Sequence, residues 1–246
     1  MKIMRSLFLI LGAHLFFGIS VHAARIALNV MATGKYAQYA EQMIASARTY
    51  FCTDHTVRYF VFTDGYVTPA PDVTKIYQKR LGWPHDTLMR FAVYLKNKDL
   101  FNDFDYLFAI DADMLFVAPV GSEILSKRVA TQHPGFVGKR GTYETNRASA
   151  AYVAPQEGKT YFAGGFYGGE RESFFSMMET VVANIEQDLH SDYIAIWHDE
   201  SHLNRYFIDN PPTKILSPSY CYPETWNLPY TKRLLALDKN HHKMRN

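Results

Sequence analysis

Phe104-Asp105-Tyr106-Leu107-Phe108-Ala109-Ile110-Asp111-Ala112-Asp113 is the stretch whose reading decides the fold. An apolar run rich in large side chains reads as a buried strand, and this one ends in two carboxylates one residue apart. At the end of such a strand Asp111 and Asp113 can meet one divalent cation and the diphosphate it carries. Hard cations such as Mg²⁺ or Mn²⁺ take oxygen ligands and neutralise phosphate charge. Asp-x-Asp pairs also occur in loops that only turn the chain or cap a helix, so the flanking segments must arbitrate.

Towards the N-terminus, Ile26 to Met31 is a short apolar run punctuated by Ala32-Thr33-Gly34. Tyr36 to Phe51 carries helical spacing, with Tyr39, Met43 and Ala47 on one side. Val57 to Phe62 is a second apolar run closed by Thr63-Asp64-Gly65, and Lys75 to Gln78 reads as a third strand. Thr87 through Leu100 has a helical pattern at Leu88, Phe91, Val93, Leu95 and Leu100. Strands alternating with helices predict an α/β fold, a Rossmann-like and mostly parallel sheet flanked by helices. Ligands of such sheets lie beyond the carboxyl ends of the strands, where Asp111 falls. No repeat, low-complexity tract or linker follows Ile26, so residues 25–246 read as one domain.

The 246 residues suffice for one sizeable core. A net charge of +2 is too small for a nucleic-acid footprint, and no nucleic-acid partner is expected. Cys52 and Cys221 are the only cysteines, which excludes a disulfide framework or a zinc site as the organising principle. Lys2 and Arg5 flank an apolar stretch from about Leu7 to Val21, followed by His22-Ala23-Ala24. A basic start, an apolar run and small residues make a signal-peptide pattern with a cut after Ala23. The run is short and interrupted by Gly12, His14 and Gly18, which suits a full membrane span less well. Residues 1–24 are therefore expected to be a signal peptide or membrane anchor, giving either secretory-pathway entry or membrane association.

Further motifs follow the Asp pair in order: His133-Pro134-Gly135-Phe136, then Tyr161-Phe162-Ala163-Gly164-Gly165-Phe166-Tyr167-Gly168-Gly169, then Trp197-His198-Asp199-Glu200-Ser201-His202-Leu203-Asn204. Lys239-Asn240-His241 and Arg245-Asn246 close the chain. With Asp111 and Asp113 as a "DxD" pair, this series resembles glycosyltransferase family 6, which includes the histo-blood-group A and B transferases, the α-1,3-galactosyltransferases and Forssman synthase. The resemblance runs from about Ile26 to the last residue and implies a GT-A type fold. It implies a retaining α-1,3-glycosyltransferase that moves N-acetylgalactosamine or galactose from UDP-GalNAc or UDP-Gal, with Mn²⁺ or Mg²⁺ as cofactor. The implied acceptor is a galactose-terminated oligosaccharide or glycolipid, with or without a 2-linked fucose. Animal members sit in the Golgi lumen on an anchor and stem; here the catalytic region follows the apolar segment without a stem. A bacterial source would place the protein at the cytosolic membrane face or export it.

On the donor side, the resemblance implies that Met31, Ala32 and Tyr36 contact the uridine, with Thr33 where the family usually has Ile. Arg90 is implied to bridge the first Asp of the pair and the donor, as a guanidinium can grip two oxygens at once. Lys239 and Arg245 lie in a tail that composition alone calls solvated, and that in the family closes over the diphosphate. Two cations there would stabilise the charge growing on a departing UDP, and closure excludes water. Ala163, Gly164 and Gly165 form the implied donor-selecting triplet, small throughout and closer to the N-acetylgalactosamine users. Read alone, that Gly-rich stretch is a turn.

For the acceptor and the chemistry, Trp197 offers a flat apolar face to a sugar and His198 a hydrogen bond to a hydroxyl. Asp199 suits the donor sugar's hydroxyls, and Glu200 is implied as nucleophile or as the base that stabilises an oxocarbenium-like state. Both acids also read as the favoured first turn of a helix over Ser201 to Ile208. His133 and Thr142 match acceptor contacts, although the segment before Tyr152 is shorter than in mammalian members. The family's acidic acceptor ligand aligns with Pro223, with Glu224 one residue later. Two rivals remain: a carbohydrate-binding protein that keeps the fold without turnover, and a metal-dependent hydrolase. The second needs a nucleophilic Asp or a His/Asp two-metal cluster, and His133, His198 and His202 lack such spacing.

Overall fold

The computed structural model describes residues 23–245. The signal or anchor expected at residues 1–24 thus lies, but for its last two residues, outside the described residues. From the N-terminus come β1 (Arg25–Met31), α1 (Ala37–Tyr50), β2 (Thr56–Thr63) and β3 (Val73–Tyr77). Then follow α2 (His85–Leu88), α3 (Arg90–Lys96), β4 (Tyr106–Asp111), β5 (Met114–Phe116) and β6 (Arg128–Gln132). The second half holds β7 (Phe162–Glu170), α4 (Arg171–His190), α5 (Asp199–Asp209) and β8 (Lys214–Leu216). It closes with β9 (Tyr222–Pro223), β10 (Leu234–Ala236) and α6 (His241–Arg245).

Seven strands form the main sheet in the order β3-β2-β1-β4-β7-β6-β8. β3, β2, β1 and β4 run parallel, β7 runs against both β4 and β6, and β8 is parallel to β6. The sheet is mostly parallel, as expected, and belongs to the GT-A type of α/β fold. β5, β10 and β9 make a small second sheet beside it.

Both faces of the main sheet are covered, because side chains alternate along each strand. Ile26, Leu28, Val30, Phe108 and Ile110 point into a core closed by Met43, Ile44 and Ala47 of α1. Ala27, Leu107 and Ala109 point the other way, against Phe91 and Tyr94 of α3, Phe174 and Met178 of α4 and Leu203 of α5. Burying each of the larger side chains contributes about 1.5–3 kcal/mol.

Three details differ from the sequence expectation. The helix expected over Thr87–Leu100 is reset at Met89 (φ −91°, ψ 5°), so α2 ends and α3 begins there. Phe101, not Leu100, is then the buried residue, while Leu100 is exposed. The strand expected at Lys75–Gln78 starts two residues earlier, at Val73. The Gly-rich stretch is no turn: it is β7, buried between β4 and β6. A methyl on Gly168 would meet the Phe108 ring at 2.3 Å, so glycine there is what lets two central strands lie against a phenyl ring.

Candidate active site

β1 and β4 end side by side, with Met31 paired to Asp111 in the ladder. Beyond these ends lies a cleft of about 210 Å³, walled by Met31, Thr33, Tyr36, Arg90, Asp111 and Asp113 among others. Ala32 is not in that wall. The pleat turns it behind the cleft, where it is fully buried, its N–H bonded to Phe62 O and its C=O to Thr63 Oγ1. Thr33 takes the place expected for it. Gly34 follows with φ +57°, and a methyl there would press on Arg80 Cδ at 2.8 Å. Glycine therefore leaves room for the Arg80 stem in the cleft wall.

Arg90 is the buried hub. Its Nη1 donates to Asp111 Oδ1 at 2.7 Å, and its Nε pairs with Asp199 Oδ2 at 2.8 Å. The same Nη1 also reaches Gly164 O at 3.4 Å. One guanidinium thus ties the end of β4 to the start of α5 and the start of β7. Asp113 is buried, and its carboxylate pairs with the Lys239 ammonium.

Lys239 also lies 5.8 Å from the Tyr36 ring centre, so the tail already crosses the cleft. That tail is anchored where Lys35 Nζ donates to Lys243 O at 2.7 Å and where Glu224 Oε2 accepts from Asp238 N at 2.8 Å. Glu224, aligned beside the family's acceptor acid, thus supports the tail. Met244 of α6 reaches the cleft wall, and Arg245 ends that short helix.

Asp199 and Glu200 open α5, and the preceding His198 takes φ +53°. A non-glycine residue in that region is strained and persists only where its surroundings hold it. Glu200 is held on both oxygens: Tyr161 OH donates to Oε1 at 2.8 Å and Gly164 N–H to Oε2 at 2.7 Å. Burial pushes the Glu200 carboxyl up to about 7 and the Asp199 carboxyl up to about 6, with Arg90 opposing the rise at Asp199.

The triplet Ala163-Gly164-Gly165 sits at a register break in β7. Opposite it, Ala130 pairs with Tyr167 and the adjacent Thr131 with Ala163. Gly164, Gly165 and Phe166 therefore have no partner on β6, although Phe166 stays paired with Ile110 of β4, and Thr131 Oγ1 donates to Phe166 O at 2.7 Å. This break is what aims the Gly164 N–H at Glu200. A methyl on Gly165 would lie 3.1 Å from Met114 Sδ, 3.3 Å from Cys221 Sγ and 3.6 Å from Asp111 Oδ2.

His133 packs against Phe136 and Tyr161, and its Nδ1 accepts from Gly135 N. Burial lowers its pKa to about 4, so it is neutral. Thr142 is exposed on the next loop, outside the cleft wall. Trp197 is exposed, and the His198 and Trp83 rings pack edge to face with 4.5 Å between their centres. Trp83, Arg80 and Thr87 line the cleft although sequence reasoning passed them over. The one available signal was an aromatic between Gly82 and Pro84 in a polar loop. Cys52 and Cys221 are both free thiols.

Among the described residues no three His, Cys, Asp or Glu side chains gather to hold a metal. Two carboxylates in the cleft wall nevertheless fit a hard cation that draws its other ligands from a bound phosphate and from water. The same finding leaves no cluster for a two-metal hydrolase among the described residues.

Sheet, cleft and carboxylates together define a GT-A type glycosyltransferase. Residues 19–246 match the family model described as glycosyltransferase family 6, and the chain belongs to that family. It is 34% identical over 239 residues to "Histo-blood group ABO system transferase 1" of Rattus norvegicus, covering 90% of this chain and 68% of the relative. It is 32% identical over 231 residues to "Globoside alpha-1,3-N-acetylgalactosaminyltransferase 1" of Homo sapiens, covering 87% and 67%. "O-antigen biosynthesis glycosyltransferase WbnI" of Escherichia coli is 28% identical over 215 residues, covering 84% and 92%.

Proposed function

We propose that this protein is a retaining α-1,3-glycosyltransferase that transfers N-acetylgalactosamine, or galactose, from a UDP-sugar to a terminal β-galactoside of a glycan or glycolipid. The observation that carries this reading is the Arg90 hub, which sets the Asp111 end of the diphosphate cleft beside the Asp199-Glu200 turn. Donor phosphate and reacting sugar would then be held by one rigid unit.

In this reading Met31, Thr33 and Tyr36 flank the uridine, with Ala32 packing behind them. Asp111 and Asp113 would hold Mn²⁺ or Mg²⁺ with the diphosphate, and the cation would neutralise charge on the departing UDP. Lys239 and Arg245 supply further positive charge from the tail. Asp199, reached through Arg90, binds hydroxyls of the donor sugar. Glu200 faces the anomeric carbon, and in its charged form stabilises the positive charge developing there. Trp197, His198, His133 and Thr142 take the acceptor, with Trp197 as a stacking face. Ala163, Gly164 and Gly165 leave room beside the sugar's C2 substituent, which favours UDP-GalNAc.

Residues 25–246 are the catalytic domain, and residues 1–24 a signal or anchor that brings it to a membrane or into the secretory pathway. No helix among the described residues is long and apolar enough to cross a membrane.

The test is UDP release from UDP-GalNAc with Mn²⁺ and lactose, for wild type and Glu200→Gln. We expect kcat to fall by roughly 10²–10⁴-fold, the range for a removed catalytic group, with UDP affinity little changed. A Glu200→Gln enzyme within a few-fold of wild type would show that another carboxylate carries the step. No UDP release by the wild type with either donor, alongside measurable glycan binding, would favour a carbohydrate-binding protein on the same fold.

A further inference from the structure

Glu200 has a partner that the proposed mechanism does not use. Tyr161, just ahead of β7, donates its hydroxyl to Glu200 Oε1 at 2.8 Å across 39 residues of sequence. Its ring has little freedom to move. Tyr161 is 1% exposed and boxed by Tyr143 at 4.9 Å, Phe136 at 5.0 Å and His133 at 5.7 Å between ring centres. The Gly141 backbone closes the box, since a methyl there would fall 2.2 Å from the Tyr161 ring. Burial, then the Glu200 charge, drives the Tyr161 hydroxyl well above the ordinary tyrosine range, so it stays a neutral donor at any working pH.

We propose that Tyr161 is a positioning residue for Glu200: with the Gly164 N–H it forms a two-point clamp that fixes the carboxylate's orientation and favours its charged form. This rests on the reading of Glu200 as the residue that faces the anomeric carbon. A carboxylate gripped at both oxygens cannot rotate towards the neighbouring carboxyl of Asp199, and the grip offsets part of the cost of burying its charge. The other groups around Glu200 do not supply that offset. Asp199 on its own helix and Asp111 at the end of β4 disfavour its charge. Arg90 of α3 is spent on those two acids and on Gly164 O, and Cys221, in the turn before β9, is a neutral thiol pushed up to about 12. The clamp also joins the chemistry to the acceptor side, because the same ring packs on His133.

Tyr161→Phe keeps the packing and deletes the donor. We expect kcat to fall about 10–100-fold, the scale of a lost hydrogen bond to a charged group, with KM for the donor and UDP affinity unchanged. The acidic limb of the kcat–pH profile, set in the wild type near the Glu200 value of about 7, should move to higher pH. The sign follows because Tyr161 favours the charged form, so its loss raises the pKa. A merely structural loosening that admitted water would move the limb the other way.

Glu200→Gln and the Tyr161→Phe/Glu200→Gln double variant complete the cycle. The double variant should lose no more activity than Glu200→Gln alone. If Glu200→Gln collapses while Tyr161→Phe retains wild-type kcat and pH profile, the positioning role is refuted and the Glu200 reading stands. If Glu200→Gln itself retains activity, the underlying reading has failed instead.

Discussion

Removing Arg90 should test the assembly more severely than removing any acid, because two carboxylates depend on it. In Arg90→Met the side chain keeps an unbranched apolar stem, is shorter by the guanidinium, and loses both ion pairs. The two pairs are not equal. Asp111 has 37% of its side chain exposed, so solvent screens that pair, and by itself it is worth about 0–1 kcal/mol. Asp199 is 2% exposed and would be left as a buried carboxylate without its cation, a defect that costs about 3–5 kcal/mol. For a domain of this size about 2–4 °C is lost per kcal/mol, so the melting temperature should drop by about 6–20 °C near pH 8.

The pH dependence follows from Asp199, whose folded pKa is raised from 3.8 to about 6. Stability tied to such a raised acid is fully present below the unfolded value and is lost as pH rises through the folded one. At about pH 5 the carboxyl is mostly protonated in both proteins, and Arg90 has little charge to compensate there. The gap between wild type and variant should therefore be narrow near pH 5 and open as pH passes about 6. Paired thermal melts at the two pH values, without UDP or metal, measure it. A gap below about 2 °C at the higher pH, or an equal gap at both, would refute the hub argument.

Two further outcomes are expected. Chelation should abolish transfer, Mn²⁺ should restore it, and Asp113→Asn should cripple it, because among the described residues no third His, Cys, Asp or Glu joins the pair to hold the cation; full turnover in excess EDTA would contradict this. Gly165→Ala should shift kcat/KM from UDP-GalNAc towards UDP-Gal by about 10–200-fold, the scale of a methyl-sized steric change. The atoms nearest the added methyl are Met114 Sδ, Cys221 Sγ and Asp111 Oδ2, at 3.1, 3.3 and 3.6 Å. A wild type that already prefers UDP-Gal would move the selector elsewhere, to Thr33 or to the loop after His133.

What the sequence made legible is what repeats locally. β1, β2 and β4 announce themselves as apolar runs, and the acids of α5 sit where a first turn favours them. The reset at Met89 was hidden because Leu88, Phe91 and Leu95 keep a helical rhythm across it. β7 was hidden because glycine is rare inside strands, and the reason for it is a phenyl ring from β4 that lies 60 residues away in sequence, from Phe108 to Gly168. Tyr161, Arg80 and Trp83 share that difficulty. Their roles come from partners brought by the sheet order, Glu200 for the first and His198 for the last, and no local pattern encodes such a partner. The Arg90 bridge to Asp111 was expected from the family resemblance, whereas its second arm to Asp199 emerges only when α5 packs beside α3 and β7.

The corner that results is costly to keep, and the cost itself argues for its use. A buried carboxylate and a half-buried one stand on adjacent residues, both shifted upward by desolvation, and the residue before them is held at φ +53°. A fold selected for stability alone would place apolar side chains there, since well-packed apolar substitutes for buried ion pairs are often neutral or stabilising by about 1–4 kcal/mol. Instead the chain devotes an arginine, a boxed tyrosine and a bulged glycine N–H to holding those acids in place. The first turn of α5 adds its own partial positive charge, and the rest of the helix is anchored through Asn204, which bonds Phe162 N–H and C=O. Every support converges on the orientation of the two carboxylates. That is the pattern expected where local preference has been given up for a reactive geometry.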